Sequence, residues 1–212
     1  MINKMRKAYL NVAVLLAGVV MSAGGCAFGD RTVMLSYPPG EDSQGSVIPK
    51  AAAASAPVDQ LIVIAPFQDK REEGKLIGEV VNGYGVRTAD VNAGNDVAQW
   101  VTEAVHSEME KAGYKAKVLS QPDKPKESLL IQGEVVRVFC TAYMTYEGQV
   151  SLAVRLELNG EEVFNKRYLG RAKSGLNWAM TATSYNRVLS LALQDAARQF
   201  IKDLNGIFVK ET

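Results

Sequence analysis

Apolar and polar positions along this chain repeat with two different periods, and the switches between them mark its elements. Leu61-Ile62-Val63-Ile64-Ala65 is a continuous, β-branched apolar run ended by Pro66, the pattern of a buried central strand. Residues 68–94 are polar and Gly-rich around Asn82-Gly83-Tyr84-Gly85, and Val80, Val81 and Val86 permit either a small hairpin or a loop. Val97, Val101, Ala104, Val105 and Met109 then recur at helical spacing, with Trp100 beside the same stripe. Asn95 or Asp96 can cap this helix, and Gly113 stands where a left-handed C-terminal residue belongs, so the helix is expected over 95–112. Tyr114–Leu119 reads as a short strand, followed by the polar turn Gln121–Pro125.

Three strands are expected next. Leu129–Tyr143 is the first, with Glu147-Gly148 offering a turn. Val150, Leu152, Val154, Leu156 and Leu158 alternate with polar or small residues, so one face is buried and the other wet. Asn159-Gly160 signals a type I′ hairpin, whose two central residues need positive φ, and Glu161–Gly170 is the return strand. From Thr183 to Asn205, Tyr185, Val188, Leu189, Ala192, Leu193, Ala196, Phe200, Ile201 and Leu204 line one broad helical face, with Gly206 at its end. The order strand, helix, strand, meander, helix predicts an α+β fold, a mostly antiparallel sheet with two long helices on one face.

The chain before Leu61 reads differently. Lys4, Arg6 and Lys7 precede an apolar stretch from Ala8 to Met21 and then small residues, the layout of a secretory signal. That stretch is too short for a comfortable membrane span of about 20 residues. Arg31–Tyr37 can form a short strand that Pro38, Pro39 and Gly40 stop. From there to Gln60 the composition is rich in Pro, Ala, Ser and Gly, including Ala51–Ala54, as in a flexible linker. The expected division is a signal over 1–25, a tether over 26–59 and one α+β domain over 60–209. A coil of the tether's length spans roughly 30 Å and would hold the folded body well away from its attachment point.

Ala23-Gly24-Gly25-Cys26 resembles a bacterial lipobox, with alanine at the position where leucine is usual. Small residues there leave a thiol open to a lipid donor at the membrane surface. The resemblance implies that Cys26 becomes the first mature residue, with diacylglycerol on its sulfur and a further acyl chain on its amine. Residue 27 is Ala rather than Asp, which by the same resemblance implies sorting to the outer membrane, facing the periplasm.

Composition then narrows the function. Loss of residues 1–25 removes three of the 24 basic residues and none of the 23 acidic ones, leaving two more acids than bases. That balance argues against nucleic acid as a partner, since phosphate binding needs clustered positive charge. The other cysteine, Cys140, lies in a strand-like run and is expected to be buried and inert. With the single histidine, His106, beside the apolar stripe, neither a zinc cluster nor a Ser–His–Asp triad can be assembled from the usual groups. Gly83 and Gly85 lack phosphate-loop spacing, and Glu72-Glu73 and Glu161-Glu162 lie in hydrophilic, turn-like surroundings. The charged run Asp69–Lys75 is a binding loop or a solvated connector. Tyr143, Tyr146 and Tyr168 form either an interaction face or sheet packing, and Trp178, Met180 and Tyr185 are placed to cover a sheet edge.

Asp69-Lys70-Arg71, Ile77-Gly78-Glu79, Asn82-Gly83-Tyr84-Gly85, Val101 to Met109 and Ala112-Gly113-Tyr114 together resemble the YajG-type lipoproteins, over residues 58–208 plus the signal. The resemblance implies an envelope lipoprotein with this order of elements. The layout is also similar to lipoprotein subunits of curli-secretion and transport-auxiliary type, which act within envelope assemblies. The expected function is therefore non-enzymatic, with no cofactor or metal: a lipid-anchored module that docks on another envelope protein. The alternative is a carrier or sensor of a small apolar ligand or lipid between helices and sheet.

Overall fold

The computed structural model describes residues 29–37, 61–119, 129–176 and 180–208. Its organising element is the strand β7, Leu129–Ala142. Fourteen residues of extended chain reach about 45 Å, and both edges need partners along that length. One edge takes β8, Tyr146–Leu158, antiparallel from end to end, and β8 carries β9, Glu161–Lys173. The other edge takes three short strands in file, all parallel to β7. β2 (Ile62–Ile64) lies against Leu129–Ile131, β3 (Gln68–Asp69) against Glu134–Val135, and β4 (Leu76–Val81) against Cys140–Ala142. Outside these, β6 (Ala116–Val118) runs parallel to β2, β5 (Arg87–Ala93) antiparallel to β4, and β1 (Arg31–Val33) parallel to β5.

The sheet is therefore mixed, which corrects the expectation of a mostly antiparallel one. Hairpins are the pairings that local sequence reveals, and they do appear as β4–β5, β7–β8 and β8–β9. The parallel pairings join segments far apart in the chain, and those of β2, β3 and β4 share the long β7 edge.

Side-chain alternation along β7 changes parity partway. Leu129, Ile131 and Val135 face the core, and then Val138, Cys140 and Ala142 do. A register shift against β8 between Val135 and Arg137 absorbs the extra residue and keeps both halves facing inward. Phe67 lies over Gly133 on this face, where a β-carbon would meet its ring at 2.1 Å.

Two helices cover the same face and share one apolar cluster. In α1, Val97–Lys111, the Asp96 carboxylate accepts from the Ala98 and Gln99 N–H groups. Gly113, at φ +90, ends the helix, with Tyr114 N–H donating to Met109 C=O. The predicted stripe is the buried one. α2, Ala182–Phe208, starts at Thr181, whose hydroxyl accepts from the Ser184 N–H, and it continues through Gly206 rather than ending there.

α2 lies directly on the meander. A β-carbon on Gly170 would sit 1.9 Å from the Ala192 carbonyl oxygen, and one on Gly148 would sit 2.8 Å from Val188 Cγ1. Gly148 is thus a strand residue beneath a helix and not the predicted turn, which falls at Tyr143–Thr145. The outer edge of β9 is also capped by α2. Asp195 accepts from Arg171 N–H at 3.1 Å, and Gln199 donates to Leu169 C=O at 3.1 Å. Asn159 and Gly160, at φ 54 and 89, make the expected type I′ turn.

The stretch 68–94 contains three strands. β5 shows period two with small inward residues, Ala89, Val91 and Ala93. Residues 31–37, assigned from sequence to the tether, belong to the sheet and its packing; the rest of the tether, the signal, Trp178 and the Gln121–Pro125 turn lie outside the described residues.

Gly170→Val is expected to cost about 2 kcal/mol or more, since its side chain collides with helix backbone rather than with a movable side chain. A urea midpoint equal to that of the unsubstituted protein would contradict the helix–strand contact.

Candidate functional site

Polar contacts converge where the chain after β1 meets both helices. Leu35 is buried, and its backbone is gripped from both sides by Asn95, which accepts from Leu35 N–H at 2.7 Å and donates to Leu35 C=O at 2.8 Å. Asp96 alone therefore caps α1, and the neighbouring Asn95 is left for the incoming strand. From α2, Asn186 accepts from Ser36 N–H at 2.9 Å, and Ser190 donates to Ser36 C=O at 3.1 Å. Tyr37 then donates to the Glu108 carboxylate at 2.8 Å.

Glu108 is only 3% exposed. Besides Tyr37 it receives Lys111 Nζ at 2.7 Å, Gln194 Nε2 at 3.3 Å and Arg198 Nε at 3.2 Å. Three parts of the chain thus converge on one carboxylate. Burial by itself would raise its pKa, but the hydrogen bonds from Lys111, Tyr37 and Gln194 and the Lys111 charge outweigh burial and hold it below the ordinary glutamate range. Burial first, and then the Glu108 charge, push the Tyr37 phenol well above its usual range. A carboxylate ringed by four donors and displaced downward is a structural clamp and a poor general base at neutral pH. The legible sequence signal was position: Glu108 follows Ala104 by four residues and Val105 by three, on the apolar stripe.

The residues singled out from sequence are dispersed. Ala23, Gly24, Gly25 and Cys26 lie outside the described residues. Cys140 is buried in β7, its backbone against Gly78, and burial pushes its thiol up to about 12. That is the environment of an unreactive thiol. His106 is at the core boundary, with Nε2 3.2 Å from the Ala116 carbonyl and Nδ1 3.7 Å from Glu110.

The run Asp69–Lys75 is neither open loop nor plain connector. Arg71, with its side chain 2% exposed, makes a two-pronged pair with Asp69 and also donates to the Gly74 and Leu76 carbonyls. Glu73 faces Arg137 at 4.0 Å, and Glu162 faces Arg155 at 2.8 Å. The three meander tyrosines do not cluster. Tyr146 packs edge-on to Tyr185 with centroids 4.9 Å apart, Tyr168 packs on Phe200 and bonds Asp203, and Tyr143 is exposed. Met180 packs against the core just ahead of α2.

Among the described residues no group of three or more His, Cys, Asp or Glu side chains is placed to hold a metal ion, and no helix is long and apolar enough to cross a membrane.

The fold is an α+β sandwich with two helices on a large mixed sheet, and solved structures share it. Protein XCC0632 from Xanthomonas campestris, of the family described as DUF330, is similar at TM-score 0.52 and 10% identity, over 85% of this chain and 98% of that one. An uncharacterised protein is similar at TM-score 0.50 and 8% identity, over 82% and 99%. Lipoprotein GNA1162 from Neisseria meningitidis aligns at TM-score 0.37 and 13% identity over 68% and 99%, too loosely to carry an argument. At these identities the likeness is one of fold alone. No family model and no curated protein matches by sequence.

Because Glu108 is depressed in the folded state, the clamp stabilises the protein fully above the unfolded glutamate value of 4.5 and loses that effect as pH falls through the lower folded value. Glu108→Gln is expected to cost about 1–3 kcal/mol at neutral pH and to flatten the acid arm of the stability curve. Asp69 and Asp203, also depressed, should keep part of that arm. An unchanged arm, followed by circular dichroism, would contradict the clamp.

Proposed function

We propose that this protein is a bacterial envelope lipoprotein of YajG type, anchored through lipid on Cys26 and acting without catalysis as an accessory module of an envelope assembly. The observation that carries the reading is Ala23-Gly24-Gly25-Cys26, placed directly after a basic start and a short apolar stretch. Each buried CH₂ of an acyl chain contributes about 0.8 kcal/mol of membrane affinity, so two or three chains give a firm anchor. Ala27 favours the outer membrane, and the partner is another envelope protein.

The described ionisable groups support a non-enzymatic role: Glu108 and Arg71 are committed to structural pairs, and Cys140 is buried with a raised pKa. An apolar ligand between α2 and the meander has no support at Gly148 and Gly170, where helix and strand are in direct contact.

Cys26→Ser is expected to leave full-length precursor and to abolish incorporation of labelled palmitate in cells. Label entering the substituted protein would overturn the assignment.

A further inference from the structure

The end of the sheet from which β1 starts carries several exposed apolar side chains on its turns. β1 runs parallel to β5 with Arg31 opposite Val91, so β1 begins on the side of the β4–β5 turn. That turn, residues 82–86, exposes Tyr84 at 93% and Val86 at 57%. It is held rigid by Asn82, whose side chain accepts from the Tyr84 and Val86 N–H groups, each at 3.0 Å. The β7–β8 turn lies against it: a β-carbon on Gly83 would be 3.0 Å from Tyr143 Oη. Tyr143 and Met144 are exposed there. β9 finishes at the same end, with Lys173 opposite Glu147, and Leu176 follows at 72% exposure.

Residues 82–86, 143–145 and 174–176 contain no charged side chain. The exposed charges at this end, Arg87, Glu147 and Lys173, lie on the flanking strand ends, where Lys173 Nζ meets Glu147 at 2.5 Å. Five large apolar side chains exposed on turns at one end of the sheet call for a partner.

Chain length identifies that partner. Cys26 precedes Arg31 by five residues, which span at most about 18 Å when fully extended. Going back along β5 from Val91 to Val86 covers about the same distance. We propose that the apolar turns carrying Tyr84, Val86, Tyr143, Met144 and Leu176 rest in the interfacial layer of the bilayer, on a short leash from lipidated Cys26. Tyrosine suits that layer because its ring is apolar and its hydroxyl meets water and headgroups. The lipid supplies affinity, and the turns fix which way the body faces. This proposal rests on the lipid anchor proposed above.

The test uses the full lipidated protein in vesicles of phosphatidylethanolamine and phosphatidylglycerol doped with a bromine-labelled phospholipid. A fluorescent thiol probe is attached at Tyr84→Cys, Met144→Cys or Glu161→Cys, Cys140 being buried and Cys26 being occupied by lipid on this reading. Quenching several-fold stronger at positions 84 and 144 than at 161 is expected. Equal quenching at the two ends, or none at 84, together with the mass of a diacylglyceryl group on Cys26, overturns this proposal and leaves the anchor intact. Absence of that mass overturns the anchor and this proposal with it.

Discussion

Backbone N–H and C=O groups that leave water must find partners, and this fold is organised by where they find them. β7 presents two edges along fourteen residues. One is satisfied by a hairpin partner, and the other by three short strands laid end to end. The outer strand β9 has its edge groups taken by Asp195 and Gln199 of α2. Leu35 and Ser36, beyond the last ladder bond of β1, have their backbone groups taken by Asn95, Asn186 and Ser190. In each case a polar side chain on a helix or just ahead of one takes the place of a neighbouring strand.

That replacement changes the picture of how the body is attached. A long Pro- and Ala-rich stretch after Cys26 suggested a spacer between lipid and fold. The strand at 31–33 and the clamp at Glu108 put the start of the fold five residues after Cys26, so the stretch 38–60 joins two strands of one sheet. If Cys26 carries lipid as proposed, so short a link favours one face toward the bilayer over many orientations.

Much of the fold was legible in the sequence. Both helices, their apolar stripes, the Gly113 terminus, the Asn159-Gly160 turn and the alternation of β8 all follow from period and turn chemistry, which are local. What escaped was set by distance in the chain. The parallel order along β7 depends on one strand's length, and Gly148 looks like a turn residue until a helix is laid over it. The β4–β5 hairpin reads no more clearly than a loop because the inward residues of β5 are small, and β1 reads as a short strand but one placed in the tether because prolines follow it. The clamp was half visible: a glutamate on an apolar stripe signals an unusual partner, but Tyr37, Gln194 and Arg198 come from remote segments. The anchor motif is read from sequence alone, and so is the family resemblance.

The most direct measurement of the central claim is hydrogen exchange at the amides of Leu35 and Ser36 in the intact protein. The account has these N–H groups held by Asn95 and Asn186 inside the folded body, so their exchange should be slowed to a degree comparable with Val91 and Ala93 of β5. Exchange at the rate of an unstructured peptide would show that the segment after Cys26 is a free tether, and the orientation proposed at the membrane would have no basis.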